Sequence, residues 1–516
     1  MNQKTYFLSV DFGTESVRAG LLDAKGAIRF SAVKEYPTYH PRNGWAEQDP
    51  REWWEAFLQV AGKVSKDSGV PRERIRAVVF DTTCSTVTFM DKNFEPLRNA
   101  LIWMDVRSSK QAERVAASGS PVLKYTGFGN VSAGWMVPKV LWVKENEPET
   151  YGRAAYVCEF QDWINCMVTG EYVGSVNNAT LRGFYDGPGG GWPVDLYEKM
   201  GIQDLIEKLP GRMLFMGDPV GPLKPEVADA CGLSRETLAI QGGCDACHGQ
   251  VGLGVYRPGE VCMITGSSHV LLGVTRKEFH DRQVWGTYPD LVRPGDNIVE
   301  GSQVSTGSVL NWFRKGFVKQ SHIEEARRRN LHLFDYLNTL AEEIKPGSDG
   351  LVLLEYWQGN RNPFSDSRAR GAIWGLSLSH TEVHVYRAIL EGVAYGVAQI
   401  IQAFQCCGFV PKEIRACGGA TRSALWMQIT SDVTGLPILL PGEADAPLVG
   451  GGVLGAFGLG VYDSIENAID NMVAIKKTVT PSPERNEAYR YFVEKHRETY
   501  NCLKNLMHDM TRHEEC

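Results

Sequence analysis

Two short segments limit the architecture of this chain more than any other feature. In the first, the β-forming run Tyr6-Phe7-Leu8-Ser9-Val10 meets the tip Asp11-Phe12-Gly13-Thr14-Glu15-Ser16, and Val17-Arg18-Ala19-Gly20-Leu21-Leu22 returns as a second strand. In the second, Glu260-Val261-Cys262-Met263-Ile264 meets Thr265-Gly266-Ser267-Ser268, and His269-Val270-Leu271-Leu272-Gly273-Val274 returns. The hairpins lie roughly 250 residues apart, one opening each half of the chain. A long-period internal duplication follows. Between them strands alternate with helical stretches, so the fold class is α/β in two units. With 516 residues the chain is too long for one core, and about 150 residues per domain leaves room for two to four.

The expected boundary lies near Val255, before Arg257-Pro258-Gly259. Ile75-Arg76-Ala77-Val78-Val79-Phe80 reads as a buried strand ending in Asp81-Thr82-Thr83. Ser379-His380-Thr381-Glu382 reads as a capping box before a helix with Val383, Tyr386, Leu390, Val393 and Val397 on one face. Asp186-Gly187-Pro188-Gly189-Gly190-Gly191-Trp192 reads as a loop, and residues from Ile465 onward as a peripheral helical tail.

A net charge of -7 supplies no basic footprint for nucleic acid or an anionic membrane. No apolar run reaches the roughly 18 residues of a membrane span, and the apolar stretch before Asp11 is too short for a signal peptide. The expected location is the cytoplasm.

Gly242-Gly243-Cys244-Asp245-Ala246-Cys247-His248-Gly249 contains C-x-x-C-H, the spacing of covalent haem attachment. That chemistry belongs to exported proteins, and no second Cys/His pair stands at zinc-finger spacing. The same residues also read as a glycine-flanked aspartate closing a strand and opening a helix. Asp245 is then the residue of interest.

Nucleotide phosphates need close backbone amides, hydroxyl donors and a carboxylate for magnesium, and both hairpin tips supply these groups. No G-x-x-x-x-G-K-[ST] loop occurs, which removes the P-loop class. Gly450-Gly451-Gly452-Val453-Leu454-Gly455 matches G-x-G-x-x-G but follows a loop, so close helix packing accounts for it better than a dinucleotide. Cys417-Gly418-Gly419-Ala420 follows a strand, and reads equally as a plain turn or as a backbone against which a flat base lies.

The order DFGTESVRAG, GWAEQDP, GGCDACHGQVG, TGSSH and CGGATRSALWMQITSDVTG resembles the FGGY carbohydrate kinases, of the actin-like ATPase superfold. Glu300-Gly301-Ser302-Gln303 with Thr306-Gly307 and Trp312-Phe313, and Trp103-Met104-Asp105 after Asp81-Thr82-Thr83-Cys84, resemble the ribulokinase-like branch. The resemblance implies two RNase-H-like domains around a central cleft: residues 1–255 for the sugar, and residues 256–516 for ATP with a helical tail from about 465.

By the same resemblance Asp245 is the catalytic base. Asp11, Gly13, Thr14 and Ser16 face the nucleotide from one side, and Thr265, Gly266, Ser267 and Gly307 from the other. Gly418, Gly419 and Ala420 bound the adenosine, and Asp11 with Asp245 holds Mg2+. Thr83, Trp103, Asp105, Arg182, Glu300 and Gln303 contact the sugar with Asp245, and Trp45 and Gln48 are weaker candidates. Arg182 stands where L-ribulose kinases carry lysine, which weakens L-ribulose specifically.

The implied reaction is ATP-dependent phosphorylation of a small sugar, first a ketopentose such as ribulose. Xylulose, a pentitol or glycerol is the alternative, and an actin-like ATP-binding regulator without a sugar is the rival from another class. A small sugar or polyol is the only partner implied; a homodimer stays open.

Overall fold

The computed structural model describes residues 5–515. Its first sheet is built from β1 (Tyr6–Phe12), β2 (Ser16–Asp23), β3 (Ile28–Glu35), β4 (Ile75–Thr82), β5 (Pro219–Pro222) and β6 (Leu238–Cys244). They lie in the order β5-β6-β4-β1-β2-β3. β1, β2 and β3 form an antiparallel meander, β4 and β6 add in parallel, and β5 closes the edge antiparallel. Apart from Tyr6, β1 is buried along its whole length, as a central strand covered on both faces requires.

The second sheet repeats this plan. It contains β7 (Glu260–Thr265), β8 (His269–Thr275), β9 (Trp285–Pro289), β10 (Asn297–Gln303), β11 (Glu413–Gly418), β12 (Ile438–Pro441) and β13 (Ile475–Val479). The order is β9-β10-β8-β7-β11-β12-β13. β7, β8 and β10 form the meander, β11 and β12 are parallel, and β13 is the antiparallel edge. Only β9, beside β10, has no counterpart. The duplication inferred from two hairpins thus extends through six strands of each sheet.

Helices surround both sheets. α1 (Pro50–Asp67) starts at a proline after Asp49, whose side chain accepts from the Arg51 N–H, and buries Trp53, Phe57, Val60 and Val64. α2 (Val176–Arg182) is capped by Ser175. α3 (Asp245–Gly252) continues directly from β6. α4 (Gly307–Gly316) and α6 (Ala424–Thr434) border the second sheet's hairpin and turn. α5 (Glu382–Cys406) buries Val383, Tyr386, Leu390, Val393 and Val397 as its periodicity predicts. α7 (Ala446–Gly458) and α8 (Pro483–Glu515) complete the chain.

Two expectations need correction. The cap of α5 is Thr381, and its reciprocal partner is His384; Ser379 and His380 instead engage Ser377 in the preceding turn. The tail from Ile465 is not peripheral either. It contributes β13 to the sheet, and α8 buries Tyr489, His496 and Tyr500 against α5 and its surroundings. The polar, solvent-facing run Ile475-Lys476-Lys477-Thr478 hides an edge strand, because only its backbone is used.

α7 is where the halves meet. It packs on α3, β1 and β4 of the first half. An added Cβ at Gly450 would collide with the His248 carbonyl, and one at Gly252 with the Ala446 carbonyl. The two helices therefore touch backbone to backbone, which accounts for the G-x-G-x-x-G match by packing. Among the described residues no helix is long and apolar enough to cross a membrane.

Candidate active site

Parallel pairing sets three carboxylates side by side. Asp11 ends β1 opposite Asp81 on β4, and Asp81 in turn lies opposite Gly243 on β6, two residues before Asp245. The carboxyl ends of parallel strands are where α/β sheets present ligand groups. Asp81 is fully buried and neither of its oxygens has a hydrogen-bond partner. Burial, then the charges of Asp11 and Asp245, holds its pKa well above the usual carboxylate range. Asp245 is pushed up to about 6, by burial first and by Asp11 second. Its Oδ1 accepts the Ala246 N–H at 2.7 Å. Arg18, returning on β2, pairs with Asp11 and with Asp445 just before α7.

His248 does not reach Asp245. Its Nε2 accepts the Gly243 N–H at 3.2 Å, and its Nδ1 lies 3.3 Å from Asp81. Burial lowers its pKa to about 3, so the ring is neutral and carries its proton on Nδ1. The histidine braces the strand end. Cys244 and Cys247 are buried in the same corner.

Beside Asp245 opens a pocket of about 200 Å³ that both halves line. Thr14, Thr83, Trp103, Arg182 and Asp245 come from the first half, and Ser268 and Glu300 from the second. Trp103 donates its Nε1–H to Thr14 Oγ1 at 3.0 Å, tying this pocket to the hairpin tip. Arg182 Nη2 forks onto Glu300 at 2.8 and 3.0 Å, and Nη1 reaches Tyr288 Oη at 3.2 Å. Burial opposes the Arg182 charge, but Glu300 outweighs it and raises the pKa.

Two expected sugar ligands are elsewhere. Asp105 is fully buried, accepting from the Ala46 N–H and from Arg107, so its oxygens are already committed. Gln303 donates to Glu355 at 2.8 Å and to the Val393 carbonyl at 3.1 Å, inside the second-half core. GWAEQDP is structural as well. Trp45 lies under Arg107 and against Trp142, and Gln48 donates to the Thr14 carbonyl while accepting from Trp53.

A larger cavity of about 590 Å³ lies on the second half. Gly266, Gly307, Gly419 and Ala420 line it, with Asn311, Phe334, Asn338, Tyr386 and Trp426. Gly418 bends the chain rather than forming wall: its φ is +95°, and a Cβ would strike the Thr265 carbonyl. Space is open at Gly419. Thr265 does not present its hydroxyl to a ligand, since that hydroxyl donates to the Cys417 carbonyl at 2.7 Å and accepts the Ala420 N–H at 3.1 Å. The Gly13 amide is likewise used on the Ser16 carbonyl, and the Gly266 amide on that of Ser268. Ser267 is exposed at the tip, and its carbonyl accepts from the Thr306 and Ser308 amides at the start of α4.

The family described as "FGGY family of carbohydrate kinases" matches this chain with its N-terminal domain over residues 6–252 and its C-terminal domain over residues 261–459. The chain belongs to the FGGY family of carbohydrate kinases. An FGGY carbohydrate kinase domain-containing protein of Danio rerio is 31% identical over 94% of this chain and 95% of its own. A ribulokinase of Staphylococcus aureus (strain Newman) is 28% identical over 94% of each. The crystal structure of xylulose kinase from Rhodospirillum rubrum superposes with a TM-score of 0.87 at 28% identity, covering 98% of this chain and 100% of that one.

In this FGGY kinase, three features of the site escaped the motif reading. Arg18 stands inside a motif but outside its glycine and hydroxyl tip. Asp81 reads as a strand end. Arg361 lies in Gly359-Asn360-Arg361-Asn362-Pro363, a turn-rich stretch whose only signal is a cation among turn residues.

Proposed function

We propose that this kinase transfers the γ-phosphoryl group of ATP to a hydroxyl of a small ketose or polyol, first a ketopentose such as ribulose. Residues 1–255 supply the base and most of the wall of the sugar pocket of about 200 Å³, to which the second half adds Glu300, and residues 256–516 hold adenosine in the cavity of about 590 Å³. One observation carries the reading: a half-buried carboxylate with a raised pKa, Asp245, stands on the wall of a sugar-sized pocket shared by both halves. Relatives named ribulokinase and xylulose kinase support a ketopentose over glycerol.

A sugar hydroxyl is a poor nucleophile until its proton has an acceptor. Asp245 Oδ2 takes that proton, while the Ala246 N–H fixes Oδ1. A pKa near 6 leaves the base ionised at neutral pH, yet basic enough to act. The new O–P bond forms as the bond to the β-phosphate oxygen breaks, and ADP leaves.

The acidic corner fits a hard divalent cation, because strand register brings Asp11 and Asp245 together beside Asp81 and Arg18 is the one cation paired with Asp11 among the described residues. Asp11 and Asp245 would hold Mg2+, which neutralises phosphate charge when bound. No three His, Cys, Asp or Glu side chains among the described residues form a metal cage, in keeping with a cation that nucleotide phosphates help to hold. Trp103, bonded to Thr14, helps close the sugar pocket against water.

The test is ADP release coupled to a reporter, screened over the ketopentoses, pentitols and glycerol. Release stimulated by a ketopentose supports the reading. Equal turnover with no sugar added refutes it in favour of an actin-like ATPase.

A further inference from the structure

We propose that Arg361, together with Glu300, reads the α-hydroxyketone end of the sugar and so sets preference for a ketose over the matching polyol. The proposal rests on the kinase reading above. Arg361 lines the sugar pocket from the second half, on a loop that is firmly held. Asn360 and Asp366 exchange both backbone hydrogen bonds at 2.8 Å. The buried Asn362 accepts the Ser302 N–H at 3.0 Å and donates to the Gln283 carbonyl at 3.0 Å. The guanidinium lies 5.4 Å from the centre of the Trp285 ring.

Its donors are nearly unused. Among the described residues the Arg361 side chain makes one hydrogen bond, from Nη1 to Ser302 Oγ at 3.5 Å, and no carboxylate stands within ion-pairing distance. Burial lowers its pKa, Arg182 adds to that effect and Glu300 opposes it. Arg182, by contrast, is committed to Glu300, Tyr288 and the Leu181 carbonyl. A guanidinium with free N–H groups in a pocket wall asks for an oxygen that only accepts.

The carbonyl of an open-chain ketose is such an oxygen. The hydroxyl beside it has a proton to donate, and each Glu300 oxygen, holding one Arg182 contact, has a lone pair left to receive it. Donor-only Arg361 and acceptor-only Glu300 thus match the two groups of an α-hydroxyketone. A polyol puts a hydroxyl where the carbonyl was, and its extra proton faces cationic N–H groups.

The experiment measures kcat/KM by coupled ADP release for ribulose and xylulose of both hands, and for ribitol, arabinitol and xylitol. The wild type is expected to favour its best ketopentose over its best pentitol by about tenfold or more, the scale of one hydrogen bond to a charged group. R361M should lower kcat/KM for the ketose by about ten- to a hundredfold, mainly through KM. Its pentitol value should fall by a smaller factor, so the ratio collapses toward one. R361K should recover part of the ratio. No ketose preference in the wild type overturns the proposal, and that measurement stands even if a variant fails to fold. Equal losses for ketose and pentitol in R361M overturn it too, assigning Arg361 a structural role. If no sugar of either class stimulates the wild type, the kinase reading itself fails and the proposal with it.

Discussion

Gly450→Ala distinguishes a helix crossing from a nucleotide loop by the sign of its effect. In the interior of an exposed helix, glycine to alanine stabilises by about 0.5–1 kcal/mol, because alanine loses less backbone entropy on folding. At Gly450 the new methyl group would collide with the His248 carbonyl oxygen, with the carbonyl carbon 2.8 Å and the Cα 3.1 Å away. All three atoms are backbone, so no rotamer change relieves the contact; α7 must move off α3. Overpacking of this kind costs about 1–3 kcal/mol. With its partner a backbone atom, the upper part of that range applies, and the net effect is a destabilisation of about 1–2 kcal/mol. In a unit of this size that lowers Tm by about 2–8 °C.

The rate should fall as well. α3 begins at Asp245, so separating the helices displaces the base, and a misplacement of about 1 Å costs up to about a hundredfold. Gly152→Ala is the control. It lies in the helix Pro148–Arg153 with nothing within 4 Å of an added Cβ, and should hold or raise Tm. The assay is a thermal melt of both variants with ketose-dependent ADP release. If Gly450→Ala melts above wild type with its rate intact, the helices are not in backbone contact and the glycine run has another role.

Asp245→Asn should keep fold and ATP binding but lose phosphoryl transfer by at least about a hundredfold; turnover within a few-fold of wild type removes Asp245 as the base. Cys244→Ala with Cys247→Ala should remain an active kinase with an altered KM for sugar, while stoichiometric zinc or iron in purified wild type would restore the C-x-x-C-H reading. His269 is buried, and burial lowers its pKa to about 4, so it is neutral in the fold but takes up a proton near pH 6.5 when unfolded. Its stabilising contribution is complete above about pH 6.5 and declines as pH falls toward 4, by about 2 kcal/mol between pH 7 and pH 5. Urea midpoints at those two pH values should differ less in His269→Gln; an unchanged difference assigns the acid sensitivity to other groups.

What the sequence reveals here is the part governed by local rules. Two hairpins with polar tips are visible because strand alternation and glycine punctuation are local, and each opens a sheet whose strand order the other repeats. Asp245 is visible for the same reason, since glycines before it and a helix after it mark a strand end. Asp105 and Gln303 occupy family-like motifs, yet their side chains turn to Arg107 and Glu355, partners that no local pattern announces. Thr265 is the subtler case. Its place at the tip is evident, but its hydroxyl is used to fix the Gly418–Ala420 turn, so it shapes the wall of the cavity of about 590 Å³ without facing into it.

Arg361 shows why this boundary falls where it does. A loop residue has no period to betray its direction, and a lone arginine among turn residues reads as a solvated cation. Only the fold reveals that the loop is tied to β10 through Asn362, and that the guanidinium enters a pocket whose other arginine is already spent on Glu300. A charge left without a partner in a wall that both halves build is a question about the ligand. Sequence motifs pick out the two hairpin tips because tight backbone turns leave a local glycine and hydroxyl pattern. The side chains proposed to read the sugar, Thr83, Arg182, Glu300 and Arg361, line one pocket although they lie nearly 280 residues apart at their extremes, and that convergence exists only after folding.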